Sequence, residues 1–378
     1  MELIEADCTD IEQRIIRKSK TRKYTTNLFE SKYPTWSIQP EEHTFYYEEN
    51  PVIEYVFKHG YGISGNRQNG MFGIFHNNKF YYKDFAKQAV AFRKDSEFWN
   101  ENNGSLEIVT NNPHLRVYDS AKPVNMLFSI NLYWHWFCED LPTIYTMLTE
   151  NEHKVFVNKL NEWQKESLTM MMSTMNLNFD DRINELDTPC IVNAPLIYTY
   201  SYPAMSFRGK SSRWVAKLLN ERLKPSFAQN TYEEKIYISR GDAEARVVEN
   251  ESEVIDTLKQ KGFIIYDNFS KLSVQQKVDI FHKSSIVISP TGAGLTHCHS
   301  MRPGTTVIDF NHEFELREEC GWNNIGTANE IDWITFSAIT SNETARSAAG
   351  GVKAKNRNLI VNIGMLEKVL QYAMDKGF

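Results

Sequence analysis

The 378 residues suggest two domains of ordinary size. With 42 Lys and Arg against 48 Asp and Glu the net charge is −6, which argues against general nucleic-acid binding, and no apolar run approaches the ~18 residues of a membrane span. Five scattered cysteines (Cys8, Cys138, Cys190, Cys298 and Cys320) contain no CxxC pair, so neither a disulfide framework nor a zinc knuckle is expected.

Reduced thiols fit a cytosolic compartment. The opening Met-Glu-Leu-Ile-Glu-Ala-Asp has no apolar core of a signal peptide, so the expected location is cytoplasmic. Residues 1–50 are the least readable. Arg14 to Lys23 holds Arg14, Arg17, Lys18, Lys20, Arg22 and Lys23. It reads as a solvated helix face or a frayed arm. The functional alternative is a peripheral foothold on an anionic membrane or an acidic glycan.

Short strands follow at Val52–Phe57, Met71–Phe75 and Lys79–Tyr82, with His76-Asn77-Asn78 as a hairpin turn between the last two. Further strands are expected at Leu106–Thr110, Leu115–Tyr118 and Asn125–Ser129. After Asn131 a helical stretch runs to about Leu148, then a strand at Lys154–Val157 and a helix at Lys159–Met172. Cys190–Val192 and Leu196–Thr199 return to strand, so the first half is α/β with a β-rich beginning. Tyr200–Gly209 breaks the pattern and is read as the linker. Ser212–Leu223 is amphipathic, with Trp214, Val215, Leu218 and Leu219 at helical spacing.

The second half alternates regularly. Strand Ile236–Ser239 precedes helix Glu251–Lys261 with Gly262 as its C-cap, then strand Phe263–Tyr266 and a helix capped by Ser273. Next come the β-branched run Ile286–Ile288, the breakers Pro290, Gly292 and Gly294, a short helix from Leu295 to Met301, and the strand Thr305–Phe310. This pitch predicts a parallel, doubly wound sheet, whose ligands sit beyond the carboxyl ends of the strands. Residues 340–357 are read as a mobile loop. Gly364–Lys376 closes the chain with a helix expected to pack back on the first domain. The expected domains are 1–205, 206–345 and the closing segment 358–378.

Three groups can do chemistry. His135 and Glu139 lie four apart and share one helix face, with Asp140 beside them. A carboxylate so held can accept a proton from a hydroxyl, and Trp134 and Trp136 would partly desolvate it. The structural alternative is an acid pair that only favours the helix dipole. Arg240 ends a strand and Arg246 follows in a loop; two guanidinium groups there suit a pyrophosphate, against ordinary ion pairing with Asp242, Glu244 or Glu249. The third group is the loop Thr291, Gly292, Ala293, Gly294 and Leu295, whose glycines and helix-start N–H groups favour a phosphate, with Asp309 at the end of the next strand placed to accept from ribose hydroxyls. Packing alone is the competing reading for those glycines. His297-Cys298-His299 is discounted as a metal site, because consecutive residues do not converge on one ion.

Together these residues resemble glycosyltransferase family 61. The resemblance rests on Tyr237-Ile-Ser-Arg240, Arg246, Asn250-Glu251, Gly262-Phe263, Gln275-Gln276, Gly292-Ala-Gly-Leu295 and Pro303-Gly304. Upstream, His135-Trp136-Phe137, the acid at 139 and Leu141-Pro142 are similar to the family's His-Trp signature. It covers roughly residues 125–310. It implies a GT-B fold, two Rossmann-like doubly wound domains facing across a cleft. It implies a nucleotide-sugar donor, a UDP-sugar such as UDP-xylose or UDP-N-acetylglucosamine, a glycan acceptor, inversion at the anomeric carbon, and no essential divalent metal. On it Glu139 becomes the base with Asp140 in reserve, Arg240 and Arg246 the diphosphate ligands, and residues 292–295 the floor under the nucleotide. Thr291, His297 and Asp309 depart from the family's usual His, Asn and Glu. Thr291 supports the alternative of an inactive nucleotide-sugar-binding protein. A dinucleotide oxidoreductase would need a third glycine where His297 stands.

Overall fold

The computed structural model describes residues 4–6, 11–18, 20–29, 41–64, 72–77, 79–81, 99–102, 105–108, 115–128, 132–203, 213–227, 234–243, 245–312, 323–340 and 358–375. The chain forms two compact units, one from residues 1–20 and 49–206, the other from 21–48 and 207–378. Residues 204–209 of the expected linker and 341–357 of the expected loop lie outside the described residues.

The first unit is built on two sheets. One takes the order Ile4–Ala6, Lys79–Tyr81, Phe72–His76, Tyr61–Ser64, Cys190–Asn193, Arg116–Asp119. Phe72–His76 and Lys79–Tyr81 pair antiparallel about Asn77, the expected hairpin. The other sheet runs Ile183–Leu186, Lys154–Asn158, Val124–Met126, Leu196–Tyr200, Val52–Lys58, Glu12–Arg17. Its first four strands are parallel and its last two antiparallel. Phe57, Ile74, Tyr81, Met126, Cys190 and Val192 join the two sheets in one core. Gly62 permits the close approach: a Cβ there would stand 2.0 Å from the Met126 sulfur. Helices cross between the parallel strands. The second of them, Glu162–Ser173, starts at a capping box of Asn161 and Gln164.

The basic stretch is strand, not helix. Arg14 lies in Glu12–Arg17 and forks onto Glu54, with Nε at 2.8 Å and Nη2 at 2.9 Å, while Nη2 also reaches Glu150 at 3.0 Å. Carboxylates far along the chain set this conformation, and helical periodicity cannot register them.

The second unit carries the parallel sheet. Its order is Ile264–Tyr266, Glu234–Ile238, Ser284–Pro290, Thr306–His312, Asp332–Thr340, extended by Lys20–Phe29 and Glu41–Glu49. The strands from Ile264–Tyr266 through Lys20–Phe29 are all parallel. Numbered from Glu234–Ile238 along the chain, the first five read 2-1-3-4-5, a doubly wound order whose switch point lies between Glu234–Ile238 and Ser284–Pro290. Ile286, Ile288, Ile308, Phe310 and Ile334 pack on one side against Val254 and Leu258 of helix Glu251–Gln260. Val287 and Val307, opposite by alternation, are also fully buried, as expected for a sheet covered on both faces.

The closing helix Ile363–Asp375 corrects an expectation. Its Leu366, Val369, Leu370 and Ala373 enter the core of the second unit, alongside Leu258 and Phe336. The apolar sheet face left beside helix Glu251–Gln260 takes up this stripe, so the helix is not an arm of the first domain.

Candidate active site

Each unit presents one cluster of chemically capable side chains. In the first unit it forms where the strand Val124–Met126 leads into a helix. Residues Tyr133–His135 start as α-helix, Trp136–Asp140 widen into a π-turn, and Leu141–Glu150 resume as α-helix. Pro142 accounts for the widening. It has no N–H for a bond to the Cys138 carbonyl, and its ring needs room there. The N–H of Leu141 accordingly reaches back to the Trp136 carbonyl. Such π-turns recur at functional sites.

The turn holds His135 and Glu139 together. His135 Nδ1 lies 2.8 Å from Glu139 Oε2, with the glutamate side chain 5% exposed and the imidazole 16%. Trp134 stands edge-on to the imidazole, ring centres 5.0 Å apart. Trp136 does not flank the site as expected. Its indole turns into the core, where Nε1 donates to Ser167 Oγ at 2.7 Å. The Thr143 hydroxyl ties down the turn by donating to the Glu139 carbonyl at 2.7 Å. Asp140 is buried next in the chain to Glu139, and the nearby Tyr202 hydroxyl donates to the Phe128 carbonyl at 2.6 Å. Burial first, then the Asp140 and Glu139 carboxyls, keep that phenol protonated, well above the usual tyrosine range. Sequence reading passed over Tyr202, placing it in the linker; no local pattern links it to Phe128.

In the second unit the cluster lies at the switch point, beyond the carboxyl ends of Glu234–Ile238 and Ser284–Pro290. Arg240 packs directly against Gly292. A Cβ on that glycine would fall 2.0 Å from Arg240 Nη1. Gly292 has φ of 174°, extended backbone open to any residue, so the glycine is there for space. Arg240 Nη2 donates to the Ala245 carbonyl at 3.1 Å, and its buried Nε has no hydrogen-bond partner among the described residues. Burial, then the charge of Arg246, lower its pKa to about 10, so it stays cationic at neutral pH. Arg246 adopts a left-handed φ of 61°, a strained conformation for a side chain of this size. Of the carboxylates weighed as ion-pair partners, Asp242 accepts the Ser270 hydroxyl, and Glu244 lies outside the described residues.

The glycine loop opens a 3-10 helix, Ala293–Ser300, rather than the expected α-helical start at Leu295. Ala293 and Gly294 stay partly exposed at its first turn. Leu295 is buried, and its N–H closes on the Gly292 carbonyl at 3.0 Å. Thr291 is fixed by its N–H to the Phe310 carbonyl at 2.8 Å. Arg240 on Gly292 thus lies next to the partly exposed first turn of this helix.

Asp309 sits differently from its expected strand-end position. The strand continues to His312, and the carboxylate is engaged inside the sheet, accepting from Trp333 Nε1 at 3.0 Å and from the Thr335 hydroxyl. Burial raises its pKa to about 7 against these bonds. His297 and His299 are fully buried. Desolvation holds His297 well below its usual range and brings His299 to about 3, so both are neutral. Among the described residues no three His, Cys, Asp or Glu side chains converge to hold a metal ion, and no helix is long and apolar enough to cross a membrane.

The family model Glycosyltransferase 61 matches residues 133–308. This stretch of the chain belongs to glycosyltransferase family 61. The match begins at Tyr133, the first residue of the helix that carries His135 and Glu139, and takes in Arg240, Arg246 and the whole glycine loop. It ends one residue before Asp309. No curated protein matches the chain. The matched family is one of glycosyltransferases, which act on a sugar donor and an acceptor.

Proposed function

We propose that the chain is an inverting glycosyltransferase that moves a sugar from a UDP-sugar to a hydroxyl of a glycan acceptor. The observation that carries this reading is the His135–Glu139 pair, held at 2.8 Å in a π-turn at the start of the family match. In the proposed step Glu139 takes the proton of the acceptor hydroxyl. The acceptor oxygen bonds to the anomeric carbon as the bond from that carbon to the diphosphate breaks, its electron pair leaving with UDP. Arg240, Arg246 and the N–H groups at the start of the 3-10 helix meet the charge that develops on the diphosphate. The two arginines give this step its positive charge without a divalent metal.

The finer fold reading, GT-B, belongs to the same proposal. In it the first unit serves the acceptor and the second, with its 2-1-3-4-5 sheet, the donor. Peripheral contact with an anionic surface would fall to the exposed Lys18 and Lys20, since Arg14 is engaged by Glu54 and Glu150.

The test is UDP release and thermal stabilisation with UDP-xylose, UDP-N-acetylglucosamine, UDP-glucose, UDP-galactose and free UDP, each with and without EDTA. Hydrolysis of one donor, unchanged by EDTA, is expected. Binding of UDP without turnover of any donor would instead indicate a nucleotide-sugar-binding protein. No response to any of the five would overturn the UDP assignment.

A further inference from the structure

The first unit has a pocket whose walls follow from strand register. Strands Glu12–Arg17, Val52–Lys58 and Leu196–Tyr200 lie side by side. Arg14, Glu54 and Tyr200 form one row across them, and Glu12, Val56 and Tyr198 the next. Alternation puts both rows on one face of the sheet. Glu150, the last residue of helix Leu141–Glu150, meets that face, and together they line a pocket of about 450 Å³, the size of a small-ligand site. The helix has 10 residues, so the pocket lies about 15 Å along its axis from the Glu139 turn at its start.

The polar groups here are fixed by one another. Glu54 is fully engaged: it accepts from Arg14 Nε at 2.8 Å, from Arg14 Nη2 at 2.9 Å and from the Tyr200 hydroxyl at 2.5 Å. Arg14 Nη2 also donates to Glu150 Oε2 at 3.0 Å. Arg14 Nη1 and Glu150 Oε1 are left without a hydrogen-bond partner among the described residues. A held donor and a held acceptor thus stand on neighbouring side chains. An acid at a helix C-terminus opposes the dipole, so helix stability does not account for Glu150.

This chemistry selects the ligand. Lys58 lies 3.5 Å from Glu12, so the remaining charges of the lining are paired as well. A charged ligand has to disturb one of these pairs. A hydroxyl does not, because it accepts from Nη1 while donating to Oε1. Val56, Leu196 and Tyr198 add apolar surface, which matches the C–H face of a sugar ring.

We infer that this pocket is a saccharide subsite, in which Arg14, Glu150 and Tyr198 hold a neutral sugar of the acceptor remote from the hydroxyl that reacts. The inference rests on the glycan-acceptor reading for its occupant and deepens it. Longer acceptors then bind more tightly without faster chemistry.

The test is calorimetric titration of the whole protein, without donor, with neutral tetrasaccharides of xylose, glucose and N-acetylglucosamine. A tetrasaccharide of galacturonic acid and spermidine serve as charged controls. Millimolar or tighter binding of at least one neutral probe is expected. In Glu150→Gln, Arg14 keeps the amide oxygen and an NH2 donor replaces the free acceptor, so binding should weaken about tenfold or more. Tyr198→Val suits a strand and should weaken it too, with UDP affinity unchanged in both variants. Glu139→Gln should bind the probe as the wild type does. No binding of any neutral probe, undiminished binding in both variants, or a preference for either charged control would overturn the inference. The titration uses no turnover, so its failure leaves transfer to a short acceptor standing, and failed transfer leaves the titration readable.

Discussion

Gly292→Ala isolates the contact between the glycine loop and Arg240. The added methyl carbon would stand 2.0 Å from Nη1 and 2.9 Å from Cζ. Ordinary contact needs about 3.5 Å, so the guanidinium must retreat by roughly 1.5 Å. That movement breaks the 3.1 Å bond to the Ala245 carbonyl and takes the cation off the loop. Since φ is 174°, alanine strains nothing in the backbone, and the melting temperature should change little. A displaced charge-assisted hydrogen bond costs about 1.5–3 kcal/mol, which weakens diphosphate binding on the order of 10- to 150-fold. Calorimetric titration with UDP reads this directly. Arg240→Lys should show a loss of similar size, because the ammonium keeps the charge but not the fork. Unchanged UDP affinity in Gly292→Ala, with the fold intact, would refute the placement of the diphosphate on this pair.

Asp309 should make the protein lose stability as pH rises. Its pKa goes from 3.8 in the unfolded chain to about 7 when folded, so the folded state holds the extra proton in between; stability is fully present below pH 3.8 and falls until about pH 7, by at most about 4 kcal/mol. Asp309→Asn keeps an acceptor for Trp333 and should flatten that dependence and raise the melting temperature above neutrality. A variant whose melting curve tracks the wild type at every pH would contradict this. Ser273 caps helix Val274–Lys283, accepting from the Gln276 N–H at 3.2 Å in a capping box, so Ser273→Ala should cost about 1 kcal/mol in denaturant titration without changing UDP affinity.

What the sequence made legible was local. The Ser273 cap, the glycine after helix Glu251–Gln260 with φ of 79°, and the β-branched run at 286–288 each act within a few residues, and each appears where expected. The His135–Glu139 pair was legible for the same reason, since spacing brings the two side chains together in an α- or a π-turn. What was missed depends on distant partners. The strand Glu12–Arg17 is charged and gets its conformation from Glu54 and Glu150. Trp136 follows Ser167 into the core, and Asp309 follows Trp333 into the sheet. The closing helix showed an apolar stripe, but nothing in the stripe says which core receives it. Tyr202 donates to the distant Phe128 carbonyl, and the break in periodicity around it reads only as linker.

The central claim is that Glu139, oriented by His135, takes the proton from the attacking hydroxyl. Its most direct test is UDP release by Glu139→Gln from whichever donor the wild type turns over, with UDP affinity measured alongside. The amide keeps the shape of the side chain and its place beside His135 but cannot accept the proton. A fall on the order of a hundred- to ten-thousandfold in kcat, with UDP affinity unchanged, is predicted. Wild-type turnover by Glu139→Gln would contradict the account.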